Sequence, residues 1–476
     1  MTPPTMTATA RTAIRRSLDG HRSAYLVGIG GTGMCGAAEL LAARGLTVAG
    51  SDRAASPRTE RLERLGVRVD TGDEPAALPA GATLVVASAA VPADHPQLLE
   101  AERRGLAVWK YAECLGALME GRVGICVAGC HGKTTTSSIV ATALWRAGLD
   151  PTFVIGGDVK DVASSARPGR GTHFVAEACE FDRSFHRLRP EIALVTNLDA
   201  DHLDYYRDME EIRESFRDFA RLLPERGVLI VHEDAADVFR GDPLMRARIE
   251  TYGTGGGVDW RAVNAVWEPD EERFRWTLVR RGVPVGELTS PLSGRHNVLN
   301  ATGAAAALFA AGLAFDAIAE GIGAFGGVGR RMERIADRRG VLVLDDYGHH
   351  PTEISAVIRA IRGRWPARRV VAIFQPHQAS RTRALLDDFG KALAEADAVW
   401  LAPIYHARDS EEEKLRTTST HVAERVELHG GVTQVFGGLD AIVAYAAANV
   451  RAGDVVVTMG AGDVDRVARG LADRLR

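Results

Sequence analysis

The sequence is short of cysteine, of lysine and of long apolar runs, and each shortage excludes something. Five cysteines (Cys35, Cys114, Cys126, Cys130 and Cys179) form an odd, scattered set. None makes a C-x-x-C pair, so neither a disulfide framework nor a zinc site of usual spacing is expected, only buried free thiols in a reducing compartment. No apolar run approaches the ~18 residues of a membrane helix. The opening stretch, MTPPTMTATARTAIRRSLDG, has no apolar core of a secretory leader. A basic excess is missing too, since the net charge is -4 and the pI about 6.4, which leaves nucleic-acid binding without an electrostatic footprint. The expectation is a cytoplasmic protein with no membrane and no nucleic-acid partner.

What is present is an ordinary globular composition, 46% hydrophobic, 25% charged and 6% aromatic. At roughly 150 residues per domain, 476 residues suggest about three domains. The runs AYLVGIG, LTVAGSD and residues 83–88 read as strands separated by the helical patterns MCGAAELLAARG and ERLERLG, which indicates βαβ units and a parallel sheet. The pattern restarts with GRVGICVAG and continues through HFVAEA and EIALVTN, apolar like buried parallel strands. Between about Gly227 and Leu292 it changes: RFRWTLVRRGVPVGELTSPL alternates about a turn, as a half-buried antiparallel pair would. After NATGAAAALFAAG and the Gly-rich GAFGGVGRRMER, a third α/β unit runs from VLVLDDY to VVVTMGAG. The fold class predicted is α/β in three domains. Residues 1–121 are Rossmann-like, 122–328 form a central P-loop domain with a parallel sheet plus a small antiparallel sheet, and 329–476 are again Rossmann-like.

Two Gly-rich turns carry the chemistry. Gly28-Ile29-Gly30-Gly31-Thr32-Gly33 lies between a strand and a helix, with Ser51 and Asp52 at the end of the next strand. Glycines let the backbone approach a diphosphate at a helix N-terminus, and a following carboxylate can hold ribose hydroxyls. Whether the ligand is a dinucleotide or another diphosphate stays open. The second turn, Gly129-Cys130-His131-Gly132-Lys133-Thr134-Thr135-Thr136, also joins a strand to a helix. It reads as a phosphate cradle with Lys133 for β/γ charge and the Thr134 hydroxyl for Mg²⁺. Val127 stands where the usual spacing has its first glycine. Only five of the 58 basic residues are lysines, so a lysine in this setting is poorly explained by chance. Cys130 inside the cradle suggests that a thiol reagent there would block ATP. Further on, Glu177-Ala178-Cys179-Glu180-Phe181-Asp182 and Asn197-Leu198-Asp199-Ala200-Asp201-His202 each end a strand and point into the same crevice, where hard oxygen ligands and one imidazole suit Mg²⁺.

With these motifs in this order, the chain resembles the Mur ligase family, the ATP-dependent amide-bond ligases of peptidoglycan synthesis. The match rests on G-I-G-G-T-G-M, A-G-C-H-G-K-T-T-T, E-A-C-E with N-L-D-A-D-H-L-D, G-R-H-N-V-L-N-A-T, G-R-R-M-E-R, L-D-D-Y-G-H-H-P-T-E and F-Q-P-H followed by R-T-R. The segment Tyr405-His406-Ala407-Arg408-Asp409 and the tail M-G-A-G-D-V favour the alanine-adding branch, with UDP-N-acetylmuramate and L-alanine as small-molecule substrates, ATP and Mg²⁺ (or Mn²⁺) as cofactors, and a monomer or weak homodimer. The resemblance implies that Gly28, Gly30, Gly31, Gly33, Ser51 and Asp52 hold the UDP portion, with Ser184, Tyr347 and His349 toward the sugar. It implies ATP contacts from Gly129, Cys130, His131, Gly132, Lys133, Thr134 and Thr135, and from His296, Asn297, Asn300, Arg331 and Asp346. Thr134, Glu177 and His202 would hold the metal. Lys133, His349, Arg381 and Arg383 would be catalytic, His349 as the candidate base and the arginines lining the lactyl-carboxylate and alanine pocket.

Taken alone, His296 and Asn297 also read as a helix start, His349 and His350 before Pro351 as a structural turn, and Arg381 and Arg383 as solvated surface. Cys179 stands where many relatives carry an aspartate, which removes one carboxylate. No lysine lies between Lys160 and Lys391, so the branches that bridge their metals with a modified lysine are disfavoured. Two readings from other classes stay open: a nicotinamide dehydrogenase built on the first turn, and a P-loop ATPase without a small-molecule acceptor. A peptide-adding ligase of the same family is the nearer alternative.

Overall fold

The computed structural model describes residues 16–202, 205–407 and 409–476. Most of the segment judged for a leader lies outside these residues, as do Leu203, Asp204 and Arg408. No helix among the described residues is long and apolar enough to cross a membrane.

Three sheets follow one another along the chain. The first contains β1 (Ser23–Val27), β2 (Thr47–Asp52), β3 (Arg68–Thr71), β4 (Leu84–Ala87) and β5 (Ala107–Lys110), in the order β3-β2-β1-β4-β5. All its pairings are parallel. The apolar runs fall at its centre, where every residue of β4 is buried. The edge strands RVDT and AVWK are half-exposed, and that is why neither shows as an apolar run. The connections reverse direction about β1, so its carboxyl end is a topological switch point, and the chain leaves it through Gly28–Gly31 into the helix Thr32–Ala43.

The second sheet has ten strands: β6 (Val123–Ala128), β7 (Thr152–Val159), β8 (Ser164–Arg167), β9 (His173–Glu177), β10 (Ile192–Val195), β11 (Val228–His232), β12 (Arg248–Gly253), β13 (Trp260–Glu268), β14 (Arg273–Arg280) and β15 (Val283–Ser290). Their order is β15-β14-β13-β12-β11-β10-β6-β9-β7-β8. The antiparallel strands β13 to β15 join the parallel part edge-on, through the parallel pairing of Tyr252 with Trp260. In β14 the alternation seen in the sequence places Phe274, Trp276 and Leu278 inward. On β13, Trp260 stacks on Phe309 of the helix Arg295–Ala310 at 4.8 Å.

The third sheet comprises β16 (Glu333–Arg338), β17 (Val341–Asp346), β18 (Arg369–Phe374), β19 (Ala398–Leu401), β20 (Thr433–Val435) and β21 (Asp454–Met459), in the order β16-β17-β21-β18-β19-β20. Only the pairing of β16 with β17 is antiparallel.

The first two units share apolar core. Helix Thr32–Ala43 packs on β7 and β8 so closely that a Cβ on Gly36 would collide with Ala166 and press on Val154. The third unit meets the second through polar side chains that follow the carboxyl ends of β6 and β10, and that seam holds the site.

Candidate active site

β6 is apolar and buried, and it delivers its last residue, Ala128, into the second Gly-rich turn. Gly129 has φ +126 and Gly132 φ +81. A Cβ on Gly129 would run into the Thr196 hydroxyl, and one on Gly132 into the Asn300 amide. Both positions therefore need glycine for conformation and for space. The loop is pinned to the end of β10: the His131 amide donates to Asn197 Oδ1 at 2.8 Å, and the His131 carbonyl accepts from Thr196 Oγ1 at 2.5 Å and from Asn197 Nδ2 at 3.0 Å. From Lys133 the chain is helical to Arg146, so the first N–H groups of that helix lack intrahelical acceptors, an arrangement suited to binding an anion. Lys133 donates to the Gly129 and Cys130 carbonyls and to both oxygens of Glu180, at 3.0 and 2.9 Å. Burial opposes its charge, but Glu180 more than restores it and raises the pKa of Lys133.

The expectation of a reactive Cys130 is corrected here. Its sulfur is buried, donating to the Asp199 carbonyl at 3.3 Å and accepting from the Asp199 amide at 3.1 Å. Burial, followed by the charge of Glu180, pushes its pKa well above the ordinary thiol value, so the thiolate that reagents attack is suppressed. The one exposed thiol of the five is Cys179, between Glu177 and Glu180.

A cavity of about 490 Å³ at the seam brings together eight of the residues assigned to ATP: His131, Gly132, Thr135, His296, Asn297, Asn300, Arg331 and Asp346. Asn297 donates to the Ser293 carbonyl and accepts from Asn300, so both amides are pre-oriented. His296 is neutral, its pKa lowered to about 4 by burial despite the nearby Glu353. Arg331 reaches across from the third unit to within 3.4 Å of Thr134 Oγ1. Asp346 braces its own turn, accepting from the Met332 and Gly348 amides, and burial raises its carboxyl.

Around His202 the structure gathers Glu180 and Asp201, whereas Thr134, Glu177 and His202 were the ligands expected. Glu177 lies against Gly156, and Thr134 against the adjacent Gly157. Glu177 Oε1 and His202 Nδ1 are both buried without a hydrogen-bond partner, and burial keeps His202 neutral. A carboxylate oxygen and an imidazole nitrogen left open in this way fit Mg²⁺ or Mn²⁺. His202 itself has φ +54, a strained setting of the kind that clusters at working sites.

A second cavity, about 290 Å³, is lined by Asp201, His202, Arg381, Arg383, Ala384 and Leu385 among others. Arg381 donates to Asp201 across the seam at 2.9 Å, with both side chains less than a tenth exposed. Burial works against ionisation of Asp201, yet at the acid pH where it titrates the protonated His202, then Arg381 and protonated His349, hold its carboxyl well below the usual range. Arg383 lines the same cavity but pairs with Glu413. His349 is held neutral by burial, its pKa lowered to about 4, and its Nδ1 lies 3.1 Å from the Tyr347 carbonyl. Tyr347 lies under the guanidinium groups of Arg330 and Arg331, at 5.1 and 5.2 Å.

At the first Gly-rich turn, the Gly28 and Ile29 amides donate to the Ser51 carbonyl and Gly30 lies against Asp52, whereas Gly31 and Gly33 face Met34 and Tyr111. Asp52 is occupied in bracing the turn, accepting from the Gly30 amide at 2.8 Å, and Ser51 donates to Gln97. A Cβ on Gly33 would strike the phenol of Tyr111. The ionisation of Tyr111 is opposed by burial and by Cys114, Glu177 and Cys179, so this phenol lies between the first turn and the acidic strand end. Ser184 is half-buried in the turn Phe181–Arg187, close in the chain to Asp182, which accepts from Lys110 at 2.5 Å.

Glu180, Asp199, Asp201, Glu353 and Tyr111 were not among the expected site residues. The first three stood inside motifs already singled out. Glu353 belonged to the P-T-E run, where it also reads as a helix capping box.

Three domain families match consecutive stretches of the chain: "Mur ligase family, catalytic domain" over residues 23–123, "Mur ligase middle domain" over 127–308 and "Mur ligase, glutamate ligase domain" over 330–462. The UDP-N-acetylmuramate–L-alanine ligase of Desulfosudis oleivorans is 42% identical over 93% of this chain and 96% of its own length. That of Kineococcus radiotolerans is 44% identical over 93% and 94%. Among solved structures, the UDP-N-acetylmuramate-alanine ligase of Thermotoga maritima shares the fold with a TM-score of 0.79 at 24% identity, covering 95% of this chain and 99% of that one. A murein peptide ligase from Psychrobacter arcticus gives 0.72 at 26% identity, covering 95% and 98%. Phosphate loop, seam and full-length likeness agree, and the chain belongs to the Mur ligase family.

Proposed function

We propose that this chain joins L-alanine to the lactyl carboxylate of UDP-N-acetylmuramate, with ATP converted to ADP and phosphate. The observation that carries the reading is the position of the phosphate loop. It opens onto one seam where Lys133, His202, Asp201 and Arg381 meet, in a chain more than 40% identical over nearly its whole length to ligases named for that reaction. We place the domain boundaries at 121/122 and 328/329, between the three sheets, and the protein in the cytoplasm.

The loop amides and Lys133 bind the β- and γ-phosphates, and Lys133 exchanges its present carbonyl contacts for phosphate oxygens. The amides of Asn297 and Asn300, with neutral His296, hold the base. Thr134, Glu177 and His202 would hold Mg²⁺, which when bound neutralises charge on the transferred phosphoryl group. The lactyl carboxylate takes the γ-phosphoryl group, giving an acyl phosphate and ADP. Arg381 and Arg383 orient the carboxylates of sugar and amino acid. The alanine amine attacks the acyl carbon, the C–OP bond breaks, and phosphate leaves with the amide formed. The amine must lose a proton first. His349 is neutral, and an Nδ1–H donated to the Tyr347 carbonyl leaves Nε2 free to accept it. Closure of the third domain excludes water, which would otherwise hydrolyse the acyl phosphate. At the first turn, Gly28, Gly30, Gly31, Gly33, Ser51 and Asp52 cradle the UDP diphosphate and ribose, with Ser184 and Tyr347 toward the sugar.

The test is phosphate release from ATP and Mg²⁺ with UDP-N-acetylmuramate, with and without L-alanine, against a panel of amino acids and a cell-wall tripeptide. Release that needs both partners and prefers alanine is expected, and Lys133→Ala abolishes it. Preference for the tripeptide would reassign the chain within the family. Release without any acceptor, or tight NAD binding with no release, would refute the ligase reading.

A further inference from the structure

Both ring nitrogens of His131 face carboxylates. Nε2 is 3.0 Å from Asp199 Oδ2, within its own domain, and Nδ1 is 3.0 Å from Glu353 Oε1, on the third domain's helix Pro351–Arg364. A neutral imidazole has one N–H, so two carboxylate acceptors at hydrogen-bond distance require the imidazolium. The His131 backbone is already fixed to Thr196 and Asn197, and Lys133 follows two residues later, so whatever holds this ring holds the phosphate loop.

The same two carboxylates index the third domain. Glu353 Oε2 accepts from the His349 amide at 2.9 Å and the His350 amide at 3.3 Å. Asp199 Oδ2 accepts from Thr352 Oγ1 at 2.8 Å. One side chain thus touches the phosphate loop with one oxygen and the backbone of His349 with the other. We propose that Glu353 is a positioning residue that, through His131, couples docking of the third domain to the shape of the phosphate loop. Swinging that domain away breaks the His131–Glu353 and Thr352–Asp199 bonds together and leaves His131 with a single carboxylate. The loop and the closed state therefore stabilise each other. This inference rests on the ligase reading above and goes beyond it.

The charged and titratable groups facing this pair are Asp199, from the end of β10, His350, whose ring lies 4.8 Å from that of His131, His349, whose Nδ1 is 3.4 Å from Glu353 Oε2, and Arg331, His296 and Asp346, which interact electrostatically with Glu353. Burial opposes protonation of His131, but Glu353 and Asp199 outweigh it and raise its pKa to about 9.

The experiment compares full-length wild type, Glu353→Gln, Glu353→Asp, His131→Asn and the Glu353→Gln/His131→Asn double variant. It follows phosphate release at saturating substrates and ¹³C-histidine NMR titration. Glu353→Gln is expected to lower kcat at least tenfold while moving KM for ATP less than threefold, with Glu353→Asp recovering part of the loss. The double variant falls no further than the worse single variant, because the two residues act as one unit. The His131 titration drops by a unit or more in Glu353→Gln. A kcat within threefold of wild type, or single losses that multiply in the double variant, would overturn the coupling. If wild type makes no product, the ligase reading fails, and the titration decides alone: a His131 midpoint unchanged in Glu353→Gln refutes the bridge.

Discussion

Arg381→Met tests how the third domain is held closed. Arg381 and Asp201 meet at 2.9 Å with side chains 9% and 6% exposed. Removing one partner of a buried pair leaves the other charge uncompensated and costs about 3–5 kcal/mol. The pair crosses the seam, so Asp201 regains water once the domains part and the lower end, about 3 kcal/mol, applies. At about 1.4 kcal/mol per tenfold, the closed form becomes roughly 100-fold less populated relative to the open one. The loss falls on docking, so each domain keeps its own fold. Small-angle scattering without substrates should give a larger radius of gyration for Arg381→Met, with the thermal midpoint within a few degrees of wild type. Adding Asp201→Asn should return part of the compaction, since the stranded charge is gone. That arm separates the pair from any contact Arg381 makes with substrate, because no substrate is present. Scattering identical to wild type, with no recovery to measure in the double variant, would refute the reasoning. The sign with pH is also set. Asp201 is held well below the usual carboxylate range, so its stabilisation is present above the unfolded value near 3.9 and is lost only as pH falls below it; the difference in compaction between wild type and Arg381→Met should therefore be flat from about pH 5 to 8.

Gly129→Ala places a Cβ at φ +126 against Thr196; strain of about 1–3 kcal/mol and a displaced loop should raise KM for ATP at least tenfold, and unchanged ATP kinetics would contradict the geometry. A maleimide should label Cys179 before Cys130, because only Cys179 is exposed, though slowly, since burial and then Glu180 push its thiol up to about 12 as well; peptide mapping reads the order, Cys179→Ala should remove any inactivation, and Cys130→Ala should leave it. The histidines predict opposed limbs of stability. His296 and His349 have folded pKa values near 4, below the unfolded 6.5 or so, so stability falls as pH drops from about 6.5 to 4. His131, raised to about 9, contributes stability below about pH 6.5 that is lost as pH rises to 9. Urea midpoints should therefore peak near neutrality, and a monotonic profile from pH 4 to 9 would contradict both assignments.

The contrast between Lys133 and Glu353 shows what a linear sequence can hold. Lys133 was legible because a phosphate cradle is local: strand, glycines, lysine and helix start must be consecutive for backbone amides to converge, so the whole device fits in eight residues. The strands at sheet centres were legible for a similar reason, since burial on both faces leaves apolar runs such as LVVA in β4. The edge strands β3 and β5 have one pairing each and half-exposed faces, so RVDT and AVWK carry no such run. Glu353 lies 222 residues from His131 in the chain, and its local surroundings, a proline and threonine ahead of a helix, already account for a glutamate as a capping residue. Its second oxygen acquires a use only when the third sheet docks on the second, which no periodicity encodes. The same holds for Asp201 and Arg381, 180 residues apart. Both stood in motifs, but one looked like an Mg²⁺ ligand and the other like a substrate clamp, and their pairing belongs to the seam. Residues that act within one domain's turn are therefore the ones the sequence exposes. Residues that act by joining two domains look like ordinary caps and surface charges until the domains are brought together, which is where this enzyme's control over its phosphate loop must reside if catalysis waits for closure.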